Sequence, residues 1–167
     1  MQLILVSACL LGERVRYDGG CKSVHDPLLE RWLREGRCLP FCPEVAGGLP
    51  VPRPPAELQY GDVARVLRGD GVVHRADGHL VTNAFLRGAE QALACCRRHG
   101  VRMAILKERS PSCAIHEVYD GTFAARRVAG MGVTARLLLQ HGVQLFNETS
   151  LQDAAAYLAL LEGSRIA

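Results

Sequence analysis

The sequence predicts an α/β domain: a mostly parallel sheet with helices on both faces. Three observations predict it. A short apolar run at 3–8 reads as a strand covered from both sides, since a half-exposed strand would alternate, 101–106 reads as another buried strand, and 143–146 as a further one. Segments of helical periodicity separate these runs, and strands that alternate with helices build parallel sheets. Aromatic residues are only 5% of the chain, which suits helices layered on a sheet better than an aromatic-rich sandwich. At 167 residues the chain fits a single domain, 1–167. A chain of that length buries roughly 70% of its unfolded surface, so its core needs no staple.

Taken in order, the run 3–8 is the first strand and ends at Cys9. Asp26 then reads as a helix N-cap with Pro27 at the first helical position, where a missing N–H costs nothing. Leu28, Leu29, Trp32 and Leu33 recur at helical spacing, and Gly36 stops the run. Residues 38–41 form a second strand. The segment CPEVAGGLPVPRPPAE follows, with two adjacent glycines and four prolines after Pro43. Its backbone is stiff where proline fixes φ and free at Gly47 and Gly48. A long, rigid loop in a compact domain is usually functional. Residues 63–81 alternate weakly and contain RGDG and ADGH, two turn signals that predict a hairpin. Residues 83–99 form a helix with Phe85, Leu86, Ala89, Leu93 and Cys96 on one side, ended by Gly100. Strand 101–106, helix 134–141 closed by Gly142, strand 143–146, and helix 150–161 with Ser150 as N-cap complete the chain.

Charge narrows the function classes. The net charge is +3 and the basic residues are scattered, so there is no stripe for nucleic acid, while a phosphate-bearing small substrate is compatible. The run 3–8 is too short to span a membrane and lacks a basic leader, so the expected location is cytoplasmic, with no membrane partner. In a reducing compartment seven cysteines are not a disulfide framework, and an odd count leaves one unpaired in any case.

In parallel sheets ligands bind beyond the carboxyl ends of the strands. Cys9 stands at the end of the first strand, Cys42 at the end of the second, and Cys113 in the loop after strand 101–106. Three cysteines distant in sequence are thereby expected at one sheet edge. None has a CxxC partner, which removes zinc-ribbon and bacterial ferredoxin patterns. Cys38, Cys95 and Cys96 read as buried small hydrophobes, and Cys21 stays undecided. Three thiolates suit either a zinc ion with water in its fourth position or a 4Fe–4S cluster with one iron free of protein ligand. With no histidine beside them other than His116, the set leans to the cluster. Glu44, two residues after Cys42, is a candidate general acid. Ser110 and Ser112 are candidates to hold substrate or relay a proton. Lys107, Arg109 and Arg53 stand in loops expected at the same edge, where they would meet an anionic group.

Several stretches together resemble a known family. SACLLG around Cys9, RYDG at 16–19, FCPEVAGGLPVPRPPAE at 41–57, AILKERSPSC at 104–113, YDGTF at 119–123 and GMGVTARLL at 130–138 are similar to the thiouracil desulfidase family, formerly domain of unknown function 523. The likeness covers nearly the whole chain, in order. It implies a compact Rossmann-like α/β fold carrying a 4Fe–4S cluster on Cys9, Cys42 and Cys113. The open iron would take sulfur from a small thiolated pyrimidine, thiouracil or 4-thiouridine monophosphate. The products would be uracil or uridine monophosphate and hydrosulfide. Glu44 would be the proton donor and Ser110 the second catalytic group. Such a C–S hydrolysis needs no net redox change. One departure is Ala114, where the family pattern has glycine; if that position required φ > 0, alanine would cost roughly 1 kcal/mol. His116 and Glu117 also depart from the pattern, at the expected pocket rim. Two other readings of the residues remain: a different cluster hydrolase or lyase, and a non-enzymatic iron–sulfur or zinc protein such as a sulfur carrier.

Overall fold

The computed structural model describes residues 1–163. The chain forms β1 (Ile4–Ser7), a 3-10 turn over Ala8–Leu11, α1 (Pro27–Arg34), β2 (Cys38–Phe41), α2 (Pro43–Ala46), β3 (Ala56–Leu58), α3 (Val63–Arg68) and β4 (Val73–Arg75). It continues with α4 (Thr82–His99), β5 (Met103–Leu106), β6 (Glu117–Tyr119), β7 (Arg127–Ala129), α5 (Val133–Gln140), β8 (Gln144–Asn147) and α6 (Leu151–Gly163). Four strands pair in parallel in the order β2-β1-β5-β8.

The apolar runs explain this sheet. Ile4 and Val6 point to one face, where they meet Leu29 and Trp32 of α1 and Leu151, Ala154 and Leu158 of α6. Leu5 points to the other, against Ala92 and Cys96 of α4 and Ala135 and Leu138 of α5. β5 divides in the same way, Met103 and Ile105 to the first face and Ala104 and Leu106 to the second. Each fully buried Leu, Ile or Val is worth about 1.5–3 kcal/mol, so a one-residue register slip, which would exchange the two faces, is strongly disfavoured. The predicted α/β class, with a parallel sheet covered on both faces, is therefore what forms.

The strand order reverses beside β1. α1 carries the chain from β1 to β2 on one face, and α4 returns it to β5 on the other. The segments leaving β1 and β5 part company there, which opens a crevice at the carboxyl edge of the sheet.

The hairpin expected over 63–81 forms only in part. Asp62 caps a helix, its side chain accepting the Arg65 N–H at 3.2 Å, and Gly69 ends that helix at φ 89°. The RGDG signal thus terminates α3. ADGH does turn the chain: the Arg75 N–H reaches the His79 carbonyl, and His74 bridges Leu80. β4 takes as its strand partner β3, which emerges from the proline-rich segment. Leu58, Val73, Phe85, Val118 and Val133 fill a third core beneath these outer pieces.

α2 was not evident in the sequence. It packs backbone to backbone on α4: a Cβ at Gly47 would stand 2.0 Å from the Ala84 carbonyl, and one at Gly88 2.0 Å from that of Pro43. This contact seats Cys42 and Glu44 on the longest helix of the molecule. Among the described residues no helix is long and apolar enough to cross a membrane.

Candidate active site

A cavity of about 510 Å³ opens at the crevice. Cys9, Cys42 and Cys113 all line it. Cys9 is delivered by the tight turn that follows β1 and is 8% exposed. Cys42 takes the N-cap position of α2, its thiol 3.9 Å from the Val15 carbonyl. Cys113 is 5% exposed and is set by Ser110, whose Oγ accepts the N–H groups of Ser112 and Cys113, each at 3.1 Å. The ends of β1 and β5 are tied where the Lys107 N–H donates to Ser7 Oγ at 2.9 Å.

The three thiols feel one another. Burial pushes Cys9 up to about 11; the Cys42 charge adds to this, while Lys107 and Arg16 pull the other way. Burial likewise raises Cys113 against the pull of the Ser7 hydroxyl, and the Cys9 and Cys42 charges reinforce the rise. Cys42 is raised too, by burial first. Left alone, such a group stays protonated; a soft cation in its midst reverses that balance. Cys95 and Cys96 belong with the core against α4, and Cys38 packs against the opposite core. Cys21, 3.5 Å from the Ser23 hydroxyl, does not line the cavity.

Glu44 also faces the cavity, with its side chain 16% exposed. Burial raises its pKa, and the Arg53 guanidinium opposes the rise. Arg53 donates from Nε to Glu44 Oε1 at 3.1 Å, from Nη1 to the Pro50 carbonyl and from Nη2 to that of Val15, while its own N–H reaches the Tyr17 carbonyl. Its charge is therefore spent on holding Glu44 and two loops. Ser112 is 1% exposed and lies behind the cavity wall, its Oγ near the Glu44 carboxyl without a hydrogen bond of normal length and angle.

Lys107 and Arg109 both line the cavity. Lys107 Nζ is gripped by Glu148 and by the Glu108 carbonyl. Arg109 is more open and pairs with Glu117 at 3.8 Å. His116 and Glu117 stay outside the lining; their N–H groups donate to Glu108 Oε1 at 3.0 and 2.9 Å. Ala114 is fully buried and is not among the residues with positive φ, so alanine fits there without backbone strain. Arg16, Lys22, Glu57 and Phe123 line the cavity as well. Arg16 stands in RYDG and Phe123 in YDGTF, motifs with no chemistry of their own that only folding brings to the cysteines; Glu57 ends the proline-rich stretch, and no motif marks Lys22.

Fold and site together define an α/β protein with a four-stranded parallel sheet whose switch-point cavity gathers three cysteine thiols and a largely buried carboxyl. Comparison with known proteins specifies the class. The family described as 2-thiouracil desulfurase matches residues 4–150. An uncharacterized protein, YbbK, from Bacillus subtilis (strain 168) is 38% identical over 151 residues, covering 90% of this chain and 99% of its own. Among solved structures, the [4Fe-4S]-dependent thiouracil desulfidase TudS is 48% identical with a TM-score of 0.88, over 96% of this chain and 99% of that one. The chain belongs to the thiouracil desulfidase family.

Proposed function

We propose that this protein is a 4Fe–4S-dependent thiouracil desulfidase that replaces the sulfur of a thiolated pyrimidine with oxygen from water, releasing hydrosulfide. One observation carries the reading: three cysteine thiols from three distant segments share one cavity with Glu44. Cys9, Cys42 and Cys113 would hold the cluster. The donor set fits it, being all sulfur, with Cys9 and Cys113 buried, Cys42 half-buried, Cys9 feeling the charge of Cys42, and Cys113 that of both others. When bound, the cluster supplies a soft Lewis-acidic iron with affinity for sulfur.

The chain's own groups do the rest. Glu44 donates a proton to the pyrimidine ring, which leaves the sulfur-bearing carbon electrophilic. Arg53 holds the carboxyl in place through Nε. Ser110, with its oxygen accepting two amides, has its hydroxyl proton free to donate to the substrate. Water adds to the carbon, the C–S bond breaks with its electron pair staying on sulfur, and oxygen takes its place. No electron donor or acceptor enters the balance.

Arg16 and Arg109, in loose pairs with Asp18 and Glu117, and Lys22 stand at the cavity where a phosphate would meet them, so 4-thiouridine monophosphate is the better substrate. Kinetics on base, nucleoside and nucleotide under anaerobic conditions, read by sulfide release, test both claims. The nucleotide is expected to have a KM about 10- to 150-fold below that of the free base. Equal KM values would leave the loop cations as solvated charges, and no sulfide from any of the three would end the desulfidase reading.

A further inference from the structure

Besides the groups already given work, the cavity is lined by a segment of unusual backbone. Residues 120–126 join β6 to β7. Phe123 and Ala125, both at the cavity, have φ of 56° and 57°. Side chains with a Cβ avoid this region, and such strain persists only where surroundings impose it. Here Glu57 imposes it. This buried carboxylate accepts the Gly121 N–H at 3.0 Å and the Phe123 N–H at 3.2 Å on the same oxygen. Gly121 lies so close to the chain that a Cβ would stand 2.8 Å from the Leu58 carbonyl. The Phe123 ring is fixed in turn by a T-shaped contact with His74, centroids 5.4 Å apart and planes at 82°.

Of the other aromatic residues at the cavity, Phe41 packs against the core, Tyr17 carries the Arg16 guanidinium 5.5 Å from its centroid, and Tyr119 stands within β6 and not at a loop tip. Phe123 is the ring at a loop tip, braced from behind and aimed by strained backbone. A planar heteroaromatic ring binds best against such a flat apolar face.

We propose that Phe123 is the wall on which the pyrimidine ring lies, and that Glu57 is the positioning residue that sets it. The inference rests on the desulfidase reading and names the specificity element of that site. It predicts a preference for planar six-membered thiocarbonyl rings over open-chain thioamides of similar polarity.

The test is steady-state kinetics with thiouracil, paired with calorimetric binding of uracil, which contains no sulfur. Phe123→Leu keeps bulk but loses the π face, and should raise both the KM for thiouracil and the Kd for uracil roughly 5- to 100-fold. Its kcat, counted per loaded cluster, should stay within about threefold. Phe123→Tyr should behave as wild type. Glu57→Ala should reproduce the Phe123→Leu shift, Glu57→Gln should largely restore wild-type KM, and Glu57→Ala with Phe123→Leu should be no worse than either alone. Circular dichroism identifies any variant that has not folded. A wild type that turns over thiouracil while Phe123→Leu keeps its KM and Kd overturns the wall and leaves the desulfidase reading standing. A wild type that releases no sulfide and binds no uracil overturns both.

Discussion

Glu44 shows how much one carboxyl depends on its surroundings. Its place two residues beyond Cys42 made it a candidate from sequence, and the fold sets it in the cavity with its side chain 16% exposed. What sequence did not disclose was Arg53. Read as a loop cation free for phosphate, it instead spends its donors on Glu44 and on the Val15 and Pro50 carbonyls. Those acceptors are backbone atoms, which carry no mark in the sequence. Glu44→Gln keeps the volume and can still accept from Arg53 Nε but cannot deliver a proton in the same way. Iron content and KM should hold while kcat falls about 10²- to 10⁴-fold. Turnover equal to wild type would transfer the proton donor's role to another group.

At the scale of elements, the segment from Lys107 to Glu117 is organised by Glu108, which sequence reasoning passed over within a charged cluster. Its carboxylate accepts the N–H groups of Ile115, His116 and Glu117 and the Asn147 side chain. Burial alone would raise its pKa, but these hydrogen bonds win and hold it below its ordinary value of 4.5. A carboxylate with a depressed folded pKa stabilises the fold fully above its unfolded pKa, and the stabilisation fades as pH falls through the folded one. Glu108→Ala should therefore cost about 1–3 kcal/mol at pH 7. Between roughly pH 5 and 3 its stability should fall less steeply than that of wild type. Urea midpoints across that range check the claim, and parallel curves would remove Glu108 from the account. At the same scale, RGDG looks alike whether it reverses a strand or ends a helix, and the deciding group, the Asp62 cap, stands at the other end of α3.

Across the whole molecule, the sheet was the most legible feature, because a strand covered on both faces must be apolar throughout. β1 and β5 are buried at every position. The outer strands β3, β6 and β7 were not legible, being three residues each, too short for alternation to separate them from loop. Convergence of the cysteines followed from the sheet: once β1, β2 and β5 are adjacent and parallel, the chain leaving each of them reaches one edge. The central claim is that Cys9, Cys42 and Cys113 hold one cluster there. The most direct measurement is iron and acid-labile sulfide per chain in protein purified without oxygen, for wild type and for Cys9→Ser, Cys42→Ser, Cys113→Ser and Cys96→Ser. The prediction is four irons and four sulfides, as the cofactor named for the related TudS structure requires, in wild type and Cys96→Ser. Each of the other three variants should lose most of that content together with the broad visible absorption of thiolate-bound iron. Wild-type content in all three of those variants, or one zinc and no sulfide in the wild type, would contradict it.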